Sequence, residues 1–349
     1  MQQLELTKYP HRRKNILTGE WVLVSPHRTE RPWQGEISAP APDRKRPYEA
    51  NCYLCPGNKR ANGDTNPHYE STYVFTNDYS ALREELPNVG KTGNDLLIAK
   101  TETGICRVVN YSPRHDLTFA ELKESEIENV ISAWQKEYET LGSNPRIHYV
   151  QIFENKGSIM GSSNPHPHGQ IWAQASIPME PMKELKQFTL YYAKKKRSLL
   201  ADYLKLELRL KERVVYENVS FAVVVPYWAV WPYETIIISK RKIANILQFT
   251  KTEKKDFANV LSVVMIKYDN LFKISFPYST GLHQAPTDGK VHNEWHFHMH
   301  FYPPLLRSAS VKKFMVGYEM LAEPQRDVAP EVTAKVLRES SIIHFNAPE

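Results

Sequence analysis

The segment HPHGQIW, residues 166–172, places two histidines two positions apart, directly after the polar loop ENKGSIMGSSNP at 154–165. Residues two apart on a β-strand point to the same face, so both imidazoles would face one cavity. Pro167 removes a backbone donor, which suits the end or edge of a sheet, and Gly169 permits a close approach by a bulky ligand. The segment therefore predicts a strand that carries chemistry, and the alternative is two surface histidines at a turn.

The parts around this strand occur twice in the chain, in the same order. Each half has a stripe of apolar residues at helical spacing, then a strand, a loop and an alternating histidine strand, which in the second half is HFHMHFY at 296–302. This repeated order predicts an internal duplication. It favours an α+β fold with mostly antiparallel sheets, and we divide the chain into residues 1–178 and 179–349.

Capping boxes mark the expected start of each helix, because Thr118 precedes Glu121 and Thr250 precedes Glu253 by three positions. Between the halves, a stretch rich in Leu, Lys and Tyr predicts one long connecting helix at about 182–212. Its basic run is expected to be a solvated face. Segments rich in β-branched and aromatic residues predict further strands at 21–27, 71–78, 105–112 and 147–153.

Composition argues against several classes of protein. The chain has 349 residues, and 45 Lys and Arg against 39 Asp and Glu give a net charge of only +6. That excess is small for a nucleic-acid binder but suits attraction of phosphorylated metabolites. No apolar run approaches the ~20 residues of a membrane span, and the first residues lack a secretory signal. Three cysteines indicate a reducing compartment, so we expect a cytoplasmic protein with no membrane or nucleic-acid partner.

The pair Cys52 and Cys55 forms a CxxC knuckle. A structural zinc site needs four ligands and no second CxxC exists, so histidines must supply the others, and His115 and His166 are the favoured candidates. The alternative is a thioredoxin-like redox pair. It is disfavoured because no βαβ pattern surrounds the motif and Pro56 follows it.

A second possible metal site involves the later histidine strand. His298 and His300 form a His-x-His pair, and His283 lies upstream of them. Three nitrogens and one carboxylate would make a closed site, for which Glu184 is our choice although spacing alone does not single it out. The pattern is also compatible with a buried histidine strand that binds no metal.

The chain resembles the bacterial type of the galactose-1-phosphate uridylyltransferase family, a branch of the histidine-triad superfamily. The similarity runs essentially from end to end. It is carried by SPHRTERPWQG (25–35), CYLCPG (52–57), FTNDYSAL (75–82), SPRHDLT (112–118), FENKGSIMGSSNPHPHGQIWA (153–173), EWHFHMHFYPPLLRS (294–308) and KKFMVGYEML (312–321). The resemblance implies two histidine-triad-like halves whose sheets form a half-barrel.

The resemblance also implies an activity in the Leloir pathway of galactose metabolism. His168 would attack the α-phosphorus of UDP-glucose and release glucose 1-phosphate. Galactose 1-phosphate would then accept UMP from the uridylyl-histidine in a ping-pong reaction, giving UDP-galactose. Gln170 would donate to the phosphoryl oxygens.

Ligands and contacts follow from the same resemblance. Zinc would be held by Cys52, Cys55, His115 and His166, and a second metal, iron or zinc, by Glu184, His283, His298 and His300. Arg28 and Arg31 would reach the active site of the neighbouring subunit in a homodimer. His296 is not a usual histidine position in the family and stays unassigned. Contacts with uridine and phosphate would fall on Tyr53, Asn77, Asp78, Asn155, Gly161, Ser163, Gln170, Lys313, Phe314, Val316, Tyr318, Glu319 and Gln325.

Three other functions remain as alternatives. A histidine-triad hydrolase would use water as the acceptor, and a dinucleoside polyphosphate phosphorylase would use phosphate. Hydrolase relatives have His where Gln170 stands, and because Gln cannot act as a general acid, the residue favours transfer. A zinc-knuckle protein that binds nucleic acid is more distant, since it leaves HPHGQ and the duplication unexplained.

Overall fold

The structure is a computed structural model and describes residues 6, 8–30, 46–86, 94–306 and 308–347. Within these residues the helices are α1 (Glu124–Gly142), α2 (Met179–Lys195), α3 (Leu199–Leu210), α4 (Lys251–Phe272), α5 (Tyr318–Leu321) and α6 (Pro330–Glu339). The strands are β1 (His11–Lys14), β2 (Trp21–Val24), β3 (Tyr73–Thr76), β4 (Gly104–Asn110), β5 (Tyr149–Lys156), β6 (His168–Gln174), β7 (Val214–Glu217), β8 (Phe221–Val224), β9 (Thr235–Ser239), β10 (Tyr278–His283), β11 (His298–Tyr302) and β12 (Gln325–Arg326). None of the described helices combines the length and apolar character that crossing a bilayer requires.

Nine strands form one open sheet in the order β3-β4-β6-β5-β10-β11-β9-β8-β7, and all of its pairings are antiparallel. A small sheet of β1, β2 and β12 lies apart from it, with β12 parallel to β2. The predicted α+β fold with mostly antiparallel sheets is therefore confirmed. The large sheet stays open and does not close into a barrel.

The internal duplication is visible in the order of the strands. The series β3, β4, α1, β5, β6 of the first half matches β8, β9, α4, β10, β11 of the second half. In the sheet, the strands of the second series follow in the reverse order to those of the first, on either side of the pairing of β5 with β10. His168 and His298 consequently begin equivalent strands, β6 and β11.

The two faces of the sheet have different roles. One face packs on α1 and α4, where alternate strand residues such as Ile152, Ile171 and Phe301 join Trp134 and Phe257 in a continuous apolar core. On the other face, a small cluster around Leu54 and Phe75 covers one end, and α2 and α3 cover the other. The part between these covers carries half-buried polar side chains, and it is the face that holds the site.

The first helix begins later than its sequence predicts. The Glu121 carboxylate accepts a hydrogen bond from the Thr118 amide at 2.9 Å, but this pair closes a turn, and α1 begins only at Glu124. Phe119 and Leu122 of this turn belong to the apolar core. The second capping box is confirmed, because Thr250 and Glu253 exchange both hydrogen bonds at the start of α4.

The predicted connecting helix is wrong, because two helices occupy its place. Lys196 ends α2 in a left-handed conformation with φ of 56°, and the Ser198 hydroxyl accepts from the amide of Ala201 to begin α3. The break turns the chain so that Leu200 and Leu204 of α3 join Phe188 of α2 in one apolar cluster. The basic residues at 194–197 are exposed, as expected.

Replacing Thr250 by Ala should destabilise the protein, because the substitution removes the hydroxyl that accepts from the Glu253 amide. Loss of such a cap costs about 1 kcal/mol of unfolding free energy, measured as a lower urea midpoint. Thr252→Ala is the matched control, since Thr252 is exposed in the first turn of the same helix. Equal midpoints for the two variants would contradict the capping role.

Candidate active site

The open face of β6 presents His168, Gln170 and Trp172, while the residues between them are buried in the core. The register places Asn110 of β4 opposite His168 and Phe153 of β5 opposite Gln170. Side chains opposite each other in an antiparallel pair share a face. The strand alternation that the sequence predicts thus sets the candidate nucleophile beside Gln170, on the third strand from one edge of the sheet.

The ring of His168 has a defined tautomer. Its Nδ1 lies 2.7 Å from the backbone carbonyl oxygen of His166. A carbonyl oxygen can only accept, so Nδ1 carries the hydrogen and Nε2 keeps its lone pair. Burial lowers the pKa of His168, which favours the neutral imidazole. This is the form that a nitrogen nucleophile requires.

Gly169 is required by the core. A Cβ at this position would lie 2.0 Å from the hydroxyl of Tyr111 and 2.9 Å from the carbonyl oxygen of Phe153. Tyr111 belongs to the core on the helical side of the sheet. Gly169 therefore lets β6 pass close to a buried tyrosine, and the close approach of a ligand there stays a prediction.

Several predicted contact residues lie on segments next to His168. Asn155 is on β5, where its side-chain oxygen accepts from the Ser279 hydroxyl at 2.7 Å. Asn77 follows β3, and its amide nitrogen lies 3.5 Å from Oε1 of Gln170. Asp78, also after β3, has its carboxylate 3.9 Å from the Arg60 guanidinium. Exposed or partly exposed positions on the knuckle and on the loop before β6 complete this group: Tyr53, Gly161 and Ser163.

The structure places the remaining predicted contacts elsewhere. Arg28 lines a cavity of about 310 Å³ together with Lys313, Phe314, Val316, Glu319 and Gln325, and half-exposed Tyr318 adjoins it in sequence. Pro232, three residues before β9, lines the same cavity. Since β9 is four strands from β6, the two groups lie roughly 19 Å apart at ~4.8 Å per strand. Arg31 lies outside the described residues.

This second group, which we call the Arg28 cavity, is internally organised by charge. Nζ of Lys313 contacts Oε1 of Glu319 at 3.1 Å and donates to the backbone oxygen of Gln325 at 2.6 Å. The Arg28 guanidinium is 3.2 Å from the Asp327 carboxylate. Phe314 and Val316 are more than half exposed. Charged side chains and an exposed apolar rim thus lie together in this cavity.

Cys52, Cys55, His115 and His166 form one buried cluster, whose possible ligand atoms all lie within 4.8 Å of one another. The Cys55 sulfur is 3.5 Å from Nδ1 of each histidine. Nε2 of His166 donates to the Ser112 carbonyl at 2.9 Å, so its Nδ1 is the nitrogen with a free lone pair. An imidazole held in this way by a backbone oxygen is the usual arrangement of a metal ligand.

The chemistry of this cluster fits a bound cation. Burial raises the pKa of the Cys55 thiol to about 12 and lowers the pKa of His166 to about 4. A metal ion stabilises the thiolate that burial disfavours, and it binds the neutral imidazole that burial favours. The four residues therefore could hold a metal through two sulfurs and two nitrogens.

A second cluster joins Glu184, His283, His298 and His300 on the same face of the sheet. The Glu184 carboxylate lies 2.9 Å from Nδ1 of His283 and 3.2–3.3 Å from Nε2 of the other two histidines. Nε2 of His298 and Nδ1 of His300 are buried and have no hydrogen-bond partner among the described residues. A cation bound here would occupy such a lone pair, so this cluster also could hold a metal.

His296 does not belong to that cluster. Its Nδ1 lies 2.8 Å from the Ser198 hydroxyl, and its Nε2 donates to the Ser239 carbonyl at 2.8 Å. Its carbonyl oxygen accepts from Nδ1 of His298 at 2.8 Å, as the carbonyl of His166 accepts from His168. His296 is therefore the second-half counterpart of His166. Its Nδ1 meets the Ser198 hydroxyl, whereas Nδ1 of His166 faces the cluster that could hold a metal.

Comparison with known proteins agrees with this geometry. Two family models match, the N-terminal domain of galactose-1-phosphate uridyl transferase over residues 2–178 and its C-terminal domain over residues 184–349. The chain belongs to the galactose-1-phosphate uridylyltransferase family. Its membership makes it a nucleotidyltransferase, and the resemblance inferred from the motifs is confirmed.

Curated members of the galactose-1-phosphate uridylyltransferase family align with the whole chain. The enzyme of Saccharomyces cerevisiae is 51% identical and that of Haemophilus influenzae 48%, covering 97% and 98% of this chain and 96% and 97% of theirs. A solved uridylyltransferase structure superposes with a TM-score of 0.74 at 27% identity, covering 94% of this chain and 97% of that one. The fold is therefore that of the family.

One contact in this uridylyltransferase site was not predicted from the sequence. Nε1 of Trp172 donates to Oε1 of Gln170 at 3.0 Å. The signal was available, because the two-residue period that pairs His168 with Gln170 also puts Trp172 on the same face.

Removing one sulfur should test the first cluster of this uridylyltransferase. We expect Cys52→Ser to lower the metal content by about one ion per chain and to lower the melting temperature, because a hydroxyl is a poor substitute for a thiolate ligand. Metal is measured by mass spectrometry of the dialysed protein. Cys106→Ser is the control, since Cys106 is also buried but lies on β4 outside the cluster. Unchanged metal content in Cys52→Ser would argue against the site.

Proposed function

We propose that this chain transfers UMP between UDP-glucose and galactose 1-phosphate through a uridylyl intermediate on His168. The observation that carries the proposal is the tautomer of His168, which leaves a lone pair on Nε2 of a side chain that lies on the open face of the sheet. The names and coverage of the curated relatives support the choice of substrates.

Two displacements at phosphorus account for the reaction. Nε2 attacks the α-phosphorus of UDP-glucose, a P–N bond forms, and the bond to the glucose 1-phosphate oxygen breaks. An oxygen of galactose 1-phosphate then attacks the same phosphorus, the P–N bond breaks, and UDP-galactose leaves. The leaving group is glucose 1-phosphate in the first step and the neutral imidazole of His168 in the second, and both are weakly basic, so neither step demands a general acid. Gln170 takes the place of such an acid and donates to the phosphoryl oxygens.

We assign zinc to the cluster of Cys52, Cys55, His115 and His166. Four protein donors leave no open position, which is typical of a structural zinc site. A zinc ion there would fix His166, whose carbonyl in turn orients the His168 ring. We assign iron or zinc to Glu184, His283, His298 and His300, since both metals accept imidazole and carboxylate ligands.

We further propose that the active enzyme is a homodimer in which the Arg28 cavity completes the site of the partner. Within one chain this cavity lies roughly 19 Å from His168 by strand spacing. A twofold axis would bring the cavity of each subunit to the other subunit's nucleotide sugar. Lys313, Glu319 and Gln325 line the cavity with Arg28 and would accompany it. For Arg31, which lies outside the described residues, the approach to the partner's site stays a proposal.

We also propose a cytoplasmic location without nucleic-acid or membrane partners, because Cys52 and Cys55 must stay reduced to bind zinc.

The division of the chain at residue 178 is retained as a proposal. The strand order supports it, since the four strands β3 to β6 lie together at one end of the large sheet.

Labelling tests the intermediate directly. UDP-glucose carrying radioactive α-phosphate should leave an acid-labile, base-stable adduct on the native protein and none on His168→Asn. His148→Asn is the control, because His148 precedes β5 at the end remote from the site. Peptide mapping locates the label. A full adduct on His168→Asn would refute the assignment, and transfer to water or phosphate instead of galactose 1-phosphate would favour the hydrolase or phosphorylase alternative.

Subunit mixing tests the dimer. Arg28→Ala and His168→Asn should each be nearly inactive alone. A heterodimer of the two variants has one site with His168 from one chain and Arg28 from the other, so it should recover about half of the native activity. Co-expression with two affinity tags isolates the heterodimer, and Arg146→Ala controls for loss of a surface arginine. If Arg28 served its own subunit, mixing would restore nothing.

A further inference from the structure

Among the described residues, the side-chain amide of Gln170 is hydrogen-bonded through its oxygen alone. Oε1 accepts from Nε1 of Trp172 at 3.0 Å and lies 3.5 Å from Nδ2 of Asn77. The indole nitrogen can only donate, so an amide turned by 180° would set its own N–H groups against another donor. The orientation of Gln170 is therefore fixed by chemistry, with Nε2 on the other side of the side chain.

Trp172 is itself held in place. Its ring meets Phe153 edge to face, with centroids 5.6 Å apart and planes at 81°. Phe153 is directly opposite Gln170 on β5, and Gln151 is opposite Trp172. The three side chains Gln170, Trp172 and Phe153 thus support one another on the open face of the sheet. A donor whose ring is fixed in this way sets the direction of the amide without a loss of freedom during the reaction.

We propose that Trp172 is a positioning residue for uridylyl transfer, which orients Gln170 so that both N–H groups of its amide face the phosphoryl oxygens. This inference rests on the proposed function. In the absence of the indole N–H, the amide can rotate and present Oε1, an acceptor, to an anionic phosphoryl group. The repulsion would grow in the transition state, where negative charge on these oxygens accumulates.

Trp172→Phe tests the inference, because it retains an aromatic ring against Phe153 and removes the donor. We expect the single-turnover rate of His168 uridylylation to fall about 10- to 100-fold, which is less than the 100- to 1,000-fold cost of losing one such donor entirely. The KM for UDP-glucose should change little. Trp134→Phe is the matched control, since the buried indole nitrogen of Trp134 has no partner among the described residues.

A double-mutant cycle separates positioning from general support of the fold. In a Gln170→Ala background no amide remains to be oriented, so Trp172→Phe should then leave the uridylylation rate unchanged. Interaction energies of this kind appear as non-additive effects. Replacing Trp172 by benzothienylalanine, whose sulfur takes the place of the N–H in a ring of nearly the same shape, should reproduce the effect of phenylalanine.

Additive effects in the cycle, or a native rate with benzothienylalanine, would overturn the positioning role. These outcomes differ from failure of the proposed function. If the proposed function were wrong, the native protein itself would form no adduct from UDP-glucose. Melting temperatures of all variants identify any that do not fold, and the benzothienyl variant keeps the test valid if phenylalanine packs badly.

Discussion

The hydrogen bond from Nδ1 of His168 to the carbonyl of His166 links the reacting ring to the metal-type cluster. It fixes the tautomer, directs Nε2 to the open face, and couples the ring to a residue whose own side chain is buried between two cysteines and a second histidine. The alternation of side chains along β6 determines the other neighbours of the ring, because it puts His168, Gln170 and Trp172 on one face and Ile171 in the core. The geometry of the site therefore depends on β6. This strand is fixed at His168 by the hydrogen bond to His166 and packs against the core along its length.

The second half repeats this bond and uses it differently. Nδ1 of His298 donates to the carbonyl of His296, so Nε2 of His298 is also left with a lone pair. Here, however, Glu184 of α2 lies against that nitrogen, and α2 and α3 cover this part of the face. The same backbone arrangement thus gives an accessible nitrogen in one half and a buried metal-type ligand in the other. The two nitrogens differ because α2 and α3, which lie between the halves in the sequence, cover β11 but not β6.

Sequence reasoning succeeded where the signal was local and periodic. The alternation of HPHGQIW predicted β6 and the face on which His168 lies, and the Thr250–Glu253 pair predicted the start of α4. It failed where tertiary packing decides. Thr118 and Glu121 form their bond, but α1 begins only at Glu124, and the predicted connecting helix breaks after Lys196, where two apolar stretches pack against each other. Spacing could not reveal that Arg28 and Lys313 share a cavity away from His168, since this depends on where distant segments meet.

The central pairing of β5 with β10 also bears on how the chain acquires its fold. The ribosome releases β5 long before β10, so the growing chain must carry an unpaired inner strand edge until most of the second half is made. Contacts between segments so far apart in sequence form slowly, and an open edge invites pairing with other chains. Nascent chains of this protein should therefore depend on chaperones during synthesis, with aggregation as the competing outcome.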